Sequence, residues 1–342
     1  MPGLESLLKL YIPLILWVGL GLILGRVLPP QIPLRLGKFL FWVGVPIGIM
    51  IFLRQADLSG SVWLAPLVSW IAVLLGAGLA GLWIKAQVTL AARSHELTRS
   101  HALQGEQAGQ SPKLLPRLVQ GLEPQQLCRS QSQGSFLLST MVGNTGYLGY
   151  PIILALIGPQ YFGWAIFYDT LGSTLAAYGL GVMLATYFGK TPEKRTTNRS
   201  QLLQALIKNP AFWSFWLGLG WHDFPLPEPL DQHLIFVAWS VVALSLLLLG
   251  IRLSQLASWH KIQHAIASLS IKMLLIPLLI GCGLRIAGMT GSPLLVLVLQ
   301  AGMPPAFATL VITEAFDLDR DLTVTTLAIG TTVILFTLPL WL

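Results

Sequence analysis

A helix that crosses a membrane must satisfy its own backbone, and one stretch of this chain is poorly suited to do so. Gly143-Asn144-Thr145-Gly146-Tyr147-Leu148-Gly149-Tyr150-Pro151 places three glycines, two small polar side chains and a proline inside an otherwise apolar run. Proline lacks a backbone donor and opposes the carbonyl one turn back, so the helix is expected to open just before Pro151. In hydrocarbon each unpaired N–H or C=O costs several kcal/mol. Irregular backbone therefore survives at membrane depth only where it is buried in protein or lines a wet cavity. The stretch predicts such a place.

The composition supports the membrane premise. Of 342 residues, 54% are hydrophobic and 10% charged, against roughly 25% charged in soluble domains. The mean hydropathy is +0.70. This is an all-α polytopic membrane protein by composition. The net charge of +7 is spread between apolar spans rather than over one face, so it reads as a topology signal and not as a nucleic-acid surface. Cys128 and Cys282 give neither metal-ligand spacing nor a disulfide framework, and no metal or cofactor is expected. The apolar run from Tyr11 to Leu24 has no small-residue cleavage site before Arg26 and reads as a first span kept in the mature protein.

A ruler of roughly 20 apolar residues per crossing yields ten candidate spans, at 10–27, 38–54, 62–84, 133–158, 161–188, 205–221, 233–251, 265–286, 291–316 and 321–341. Most lysines and arginines, from Arg26 through Lys85, Arg93, Lys190 and Arg252 to Arg320, fall after the odd-numbered spans. The other side has only Lys9, Arg54 and Arg285. Basic loops stay cytoplasmic, so both termini are expected on the outer side of the inner or plasma membrane. The polar segment 86–131 is expected to form a surface helix and a cytoplasmic loop. The basic linker 189–204 divides the chain into a first unit, 1–188, and a second, 205–342. Five spans on each side insert the halves in opposite senses, the arithmetic of an inverted repeat. Pro151 lies 37 residues before Phe188, and Pro305 lies 37 residues before Leu342. In the second half the breaking element is Ala301-Gly302-Met303-Pro304-Pro305-Ala306, so spans four and nine are both expected to be interrupted.

Asn144-Thr145-Gly146-Tyr147-Leu148-Gly149-Tyr150-Pro151 resembles the N-T-G-[FY]-[LM]-G-x-P segment of the auxin efflux carrier family, which includes plant PIN proteins and bacterial malate-type permeases. Lys208-Asn209-Pro210, Lys272 with Pro277, and Met303-Pro304-Pro305-Ala306 are similar to further family segments in the same order. The resemblance implies ten transmembrane helices in two inverted five-helix repeats, with helices four and nine broken and crossing, as in bile acid symporters and related proton antiporters. It also implies efflux of small organic anions by an elevator movement. Asn144, Pro151, Pro304 and Pro305 become substrate-site residues by that correspondence. The insert after span three is long for a bacterial-type member, and the central loop is far shorter than in long plant members.

Helix starts at a midplane break present free N–H groups and about half a positive charge, which attract an anion. Asn144 either fixes a carboxylate or holds the opened backbone; both readings stand. Thr145, Gly146, Tyr150, Gln300 and Met303 complete the expected substrate-binding set. Asp169, inside span five, is a candidate for proton or charge coupling, or for a structural hydrogen bond. Lys272, inside span eight, either balances substrate charge or snorkels to the interface. Trp17, Trp42, Trp63, Trp83, Trp221 and Trp341 fall at or near span ends and read as interfacial belt residues.

No catalytic motif accompanies the six histidines, which lie in loops or near span edges, and this argues against a membrane enzyme. A sodium- or proton-coupled carrier and a receptor built on a transporter fold are the alternatives. The expected partners are a small organic anion and the lipid bilayer, with no nucleic acid; a homodimer is left open.

Overall fold

The computed structural model describes residues 4–29, 31–107, 127, 129–189, 207–255 and 261–342. Residues 108–126, the linker from 190 to 206 and Cys128 lie outside them, so the expected loop and linker are not part of the fold below. Among the described residues the chain is helical, and one isolated backbone bridge is the sole β-type pairing.

Helices α1 (Leu4–Val27), α2 (Gln31–Phe39), α3 (Val45–Gln55), α4 (Leu64–Gln107) and α5 (Ser130–Met141) open the chain. They are followed by α6 (Tyr150–Leu156), α7 (Phe162–Tyr168), α8 (Val182–Phe188), α9 (Pro210–Gly220) and α10 (Glu228–Gln255). The last are α11 (Ile262–Ser270), α12 (Ile276–Ile286), α13 (Gly291–Ala301), α14 (Phe307–Ala315) and α15 (Arg320–Trp341). Several join into longer rods through π-helical turns, and among the described residues six rods are long and apolar enough to cross a membrane: Gln31–Gln55, Leu64–Arg93, Pro159–Phe188, Glu228–Ser254, Ile262–Ile286 and Arg320–Trp341. Large apolar side chains such as Leu67, Leu74 and Leu82 are exposed on the outside, as a lipid-facing surface requires. The polar segment from Ala86 extends α4 in one unbroken helix to Gln107 rather than starting a separate surface helix.

Three prolines share one local solution. Pro46, Pro151 and Pro277 each occupy the second position of an α-helix that directly follows a π-helical turn, at Leu40–Gly44, Thr145–Gly149 and Ile271–Leu275 respectively. The wider turn accommodates the missing N–H and the ring. This corrects the expectation at Pro151, where the chain is helical. The opening lies earlier, at residues 142–144, between α5 and the π turn. At Pro210 the Lys208-Asn209-Pro210 segment opens α9, with the Asn209 side chain capping it by accepting from the Ala211 N–H at 3.1 Å.

α1 and α10 pack backbone to backbone. A β-carbon on Gly250 would fall 2.1 Å from the Val18 carbonyl oxygen and 2.9 Å from the Gly21 Cα, so only glycine fits. Gly19, two residues before Gly21 on α1, has nothing within 4 Å of such a carbon. Gly250→Ala should cost about 1–3 kcal/mol of stability by overpacking and lower the apparent Tm of detergent-purified protein. Gly19→Ala should leave Tm unchanged or raise it, by up to about 1 kcal/mol of helix propensity.

Candidate functional site

Two interrupted helices meet at the site. The first is α5, the opening at 142–144, and the helical run from Thr145 to Leu156. The second is α13, the opening at 302–306, and α14. The halves of the first are 12 residues each, about 18 Å long, and fall short of a bilayer core of about 30 Å. Their open ends bond to each other. The Asn144 N–H donates to the Pro304 carbonyl at 2.7 Å, the Ala306 N–H donates to the Val142 carbonyl at 3.0 Å, and Gly143 bridges Pro305 in antiparallel sense. Between Gly302 and Ala306, the prolines have no N–H, and the N–H groups of Gly302, Met303 and Ala306 all donate. The second break thus leaves no donor unpaired within these five residues.

All eleven residues singled out from the sequence gather at this crossing or against it. Asn144 is buried, and its amide nitrogen Nδ2 has no partner. Thr145 Oγ1 and Tyr150 OH each donate to the Asp169 carboxylate at 2.5 Å, and Gly146 faces the same carboxylate. Pro151 lines a narrow apolar cavity with Gly146 and Tyr150. Gln300 is fully buried; its Nε2 donates to the Ala165 carbonyl at 3.3 Å, and its Oε1 has no partner. A β-carbon on Gly149 would sit 2.2 Å from that oxygen, so glycine is what lets Gln300 lie there. The Met303 carbonyl lies beside Gly143, and Pro304 and Pro305 supply the acceptor and the bridge described above.

Lys272 is 2% exposed, which sets aside the snorkelling geometry. Its Cε and Nζ pack against Gly143, where a β-carbon would come within 3.2 Å and 3.3 Å of them. No carboxylate pairs with it among the described residues. The first break therefore has an acid on its C-terminal side, at Asp169, and an unpaired base at Gly143, and the two are not joined to each other.

The amino-acid pattern did not flag two further groups. Arg252, counted among loop cations, sits at the end of α10 with its guanidinium 4.7 Å from the centroid of the Phe307 ring. Asp319 caps α15, accepting from the Leu322 N–H at 3.1 Å, and also accepts from Ser132 Oγ of α5 at 2.5 Å and from Lys261 Nζ ahead of α11. A signal for Asp319 was present in the sequence, since aspartate immediately before an apolar helix is a common N-cap. Glu314 of α14 is exposed and paired with Arg320 at 2.9 Å.

A family model described as membrane transport protein matches residues 127–342, well over half the chain and all of both breaks. The chain belongs to this auxin efflux carrier-like family of transporters. It is 29% identical over 199 residues to an uncharacterized transporter of Methanothermobacter thermautotrophicus, a match covering 58% of this chain and 63% of that protein. It is 28% identical over 218 residues to an uncharacterized transporter of Methanocaldococcus jannaschii, covering 62% of this chain and 68% of the relative. The chain thus matches less than two thirds of the first relative's length. As a member of this membrane transport family with helices long and apolar enough to span a bilayer, it is an integral membrane protein.

The Asp319 cluster lies outside the spans and titrates predictably. Burial alone would raise the Asp319 carboxyl, but hydrogen bonds from Lys261, Ser132 and the Leu322 N–H outweigh it and hold the group below its usual 3.8. A carboxyl depressed by folding stabilises the fold above its unfolded-state value and loses that contribution as pH falls through the lower, folded one. Asp319→Asn should therefore lower the apparent Tm at pH 7. The gap from wild type should shrink as pH drops below about 4, as read by thermal unfolding at stepped pH.

Proposed function

We propose that this transporter moves small organic anions across the cell membrane by alternating access, with the crossing of its two broken helices as the substrate site. The observation that carries this reading is Lys272: a buried cation without an acid partner, packed against the glycine at which the first helix opens. A buried, uncompensated charge costs free energy. A carboxylate arriving at the break would offset that cost. The unpaired Asn144 amide adds a second donor at the adjacent residue. The helix starts at Thr145 and Phe307 add the positive ends of two backbone dipoles.

The reading extends to the whole chain. Units 1–188, with its insert at 86–131, and 205–342, joined by 189–204, form two inverted five-helix repeats of ten crossings in all, with both termini outside. Each break falls in the fourth of its repeat's five crossings, although Pro151 lies in helix past the first opening whereas Pro305 lies within the second. Asp169, bonded to Thr145 and Tyr150 of the helical run that follows the first break, supplies a proton-coupling carboxylate. The cavity beside the crossing measures only about 30 Å³, while sites for small organic ligands run to roughly 300 Å³ or more. Loading a substrate therefore requires the walls to part, which suits an elevator movement.

Lys272→Met separates this site from a structural lysine. Replacing a lone buried charge by an apolar side chain of similar size should leave apparent stability equal or higher, while uptake of carboxylates into proteoliposomes falls by about tenfold or more. Asn144→Ala should also reduce flux, with membrane insertion intact. Destabilisation of Lys272→Met together with undiminished flux would reject the assignment.

A further inference from the structure

The face of α10 that borders the cavity continues into a charge with nothing to bind. Val241, Ser245 and Arg252 are spaced by four and seven residues and share one face of the helix. Val241 and Ser245 line the apolar cavity, with Tyr147 opposite. Arg252 stands seven residues past Ser245, about 10 Å along the axis. Its guanidinium lies over the Phe307 ring, the first residue of α14 after the second break. Gly37 of α2 makes room for it on another side, since a β-carbon there would fall 2.8 Å from Nη2. Tyr147 of the first broken helix is within electrostatic reach of the same group.

Among the described residues no carboxylate pairs with Arg252, and no hydrogen bond occupies its fork. An arginine that only sets topology reaches toward headgroups and water. This one is half-buried and contacts α2 and α14, one of them half of a broken helix. Stacking on an aromatic face holds a guanidinium while leaving its planar N–H edge free, and that edge matches a carboxylate bidentately.

We propose that Arg252, about 10 Å along α10 from the cavity lining, is a substrate-binding residue that takes the carboxylate of the incoming anion in bidentate contact before it reaches the break at Asn144. The Phe307 ring holds the guanidinium in place when no anion is bound. This inference rests on the organic-anion reading above and adds a recognition step to it. It also predicts what the site discriminates: a carboxylate against its neutral amide, at equal size.

The test uses full-length protein in proteoliposomes with labelled malate, indole-3-acetate and benzoate, and takes forward whichever the wild type moves fastest. Arg252→Gln should raise KM for that acid about ten- to hundredfold, the loss expected for hydrogen bonds to a charged group, with maximal rate within about twofold. Competition by the matching amide separates binding from structure. Wild type should prefer acid to amide, and R252Q should lose most of that preference, which a merely structural arginine would not change. Arg252→Lys keeps the charge without the fork, and should lie between the two in KM; it decides alone if R252Q fails to insert. Unchanged KM in the variant that inserts, with the acid preference intact, overturns the role of Arg252 and leaves the transport reading standing. Wild-type vesicles that move none of the three acids overturn both.

Discussion

Two main-chain hydrogen bonds, from Asn144 to Pro304 and from Ala306 to Val142, make the rest of this architecture possible. A helix that stops in the middle of a membrane leaves donors and acceptors without partners, and lipid offers none. Here each break supplies a donor and an acceptor to the other. The prolines of the second break remove two N–H groups that would otherwise need partners, so residues usually read as helix breakers lower the cost of the opening. The antiparallel bridge between Gly143 and Pro305 requires close backbone approach, and the absence of a side chain at Gly143 leaves space that the Lys272 stem fills. The geometry of the backbone and the placement of the charge thus have one cause.

The polar groups around the crossing are not distributed evenly. Asp169 is engaged by two hydroxyls on the helical run that follows the first break. Lys272, the Asn144 amide nitrogen and Gln300 Oε1 are buried without ion-pair or hydrogen-bond partners among the described residues. Buried polar atoms without partners are uncommon in folded proteins, because each gives up its hydration for nothing. Several of them at one crossing indicate that the fold holds them for a purpose other than stability. Under the proposed function, binding of an anion at the crossing supplies that purpose.

Much of this was legible in the chain itself, and the exceptions have identifiable physical origins. Each of the ten apolar stretches is helical over much of its length, because hydropathy and helix length are local properties. The Pro304-Pro305 break was legible for the same reason. The position of the first opening was not. Pro151 announces a missing donor, but the π turn before it absorbs the defect, while the true opening at 142–144 is defined by bonds to a segment some 160 residues away. The fate of Lys272 was also undetermined locally: a lysine stem can reach the interface or turn inward, and only the empty space at Gly143 decides it. Arg252 was missed because charge counting assigned it to a loop, whereas α10 continues to Gln255 and carries it on a helical face.

The contacts on the two sides of the first broken helix differ in kind, and this bears on how such a protein moves. Toward the second broken helix and Asp169 they are directional, with backbone and hydroxyl bonds of 2.5–3.0 Å. Toward α3 and α10 they are apolar, through Val45, Ile49, Phe52, Val241 and Val242, with Gly48 and Gly146 thinning the wall. Among the described residues no side-chain hydrogen bond spans that wall; the Ser245 hydroxyl turns back to the Val241 carbonyl of its own helix. Directional bonds resist displacement by an ångström or two, whereas apolar surfaces in lipid exchange one packing partner for another with little net change in burial. Under the proposed elevator reading, the two crossing helices and the Asp169 rod would move as one piece against α3 and α10. Arg252, anchored on α10 but stacked on Phe307 of the moving piece, spans that slip plane, so an anion that draws its fork away from the ring also removes a contact that opposes the motion.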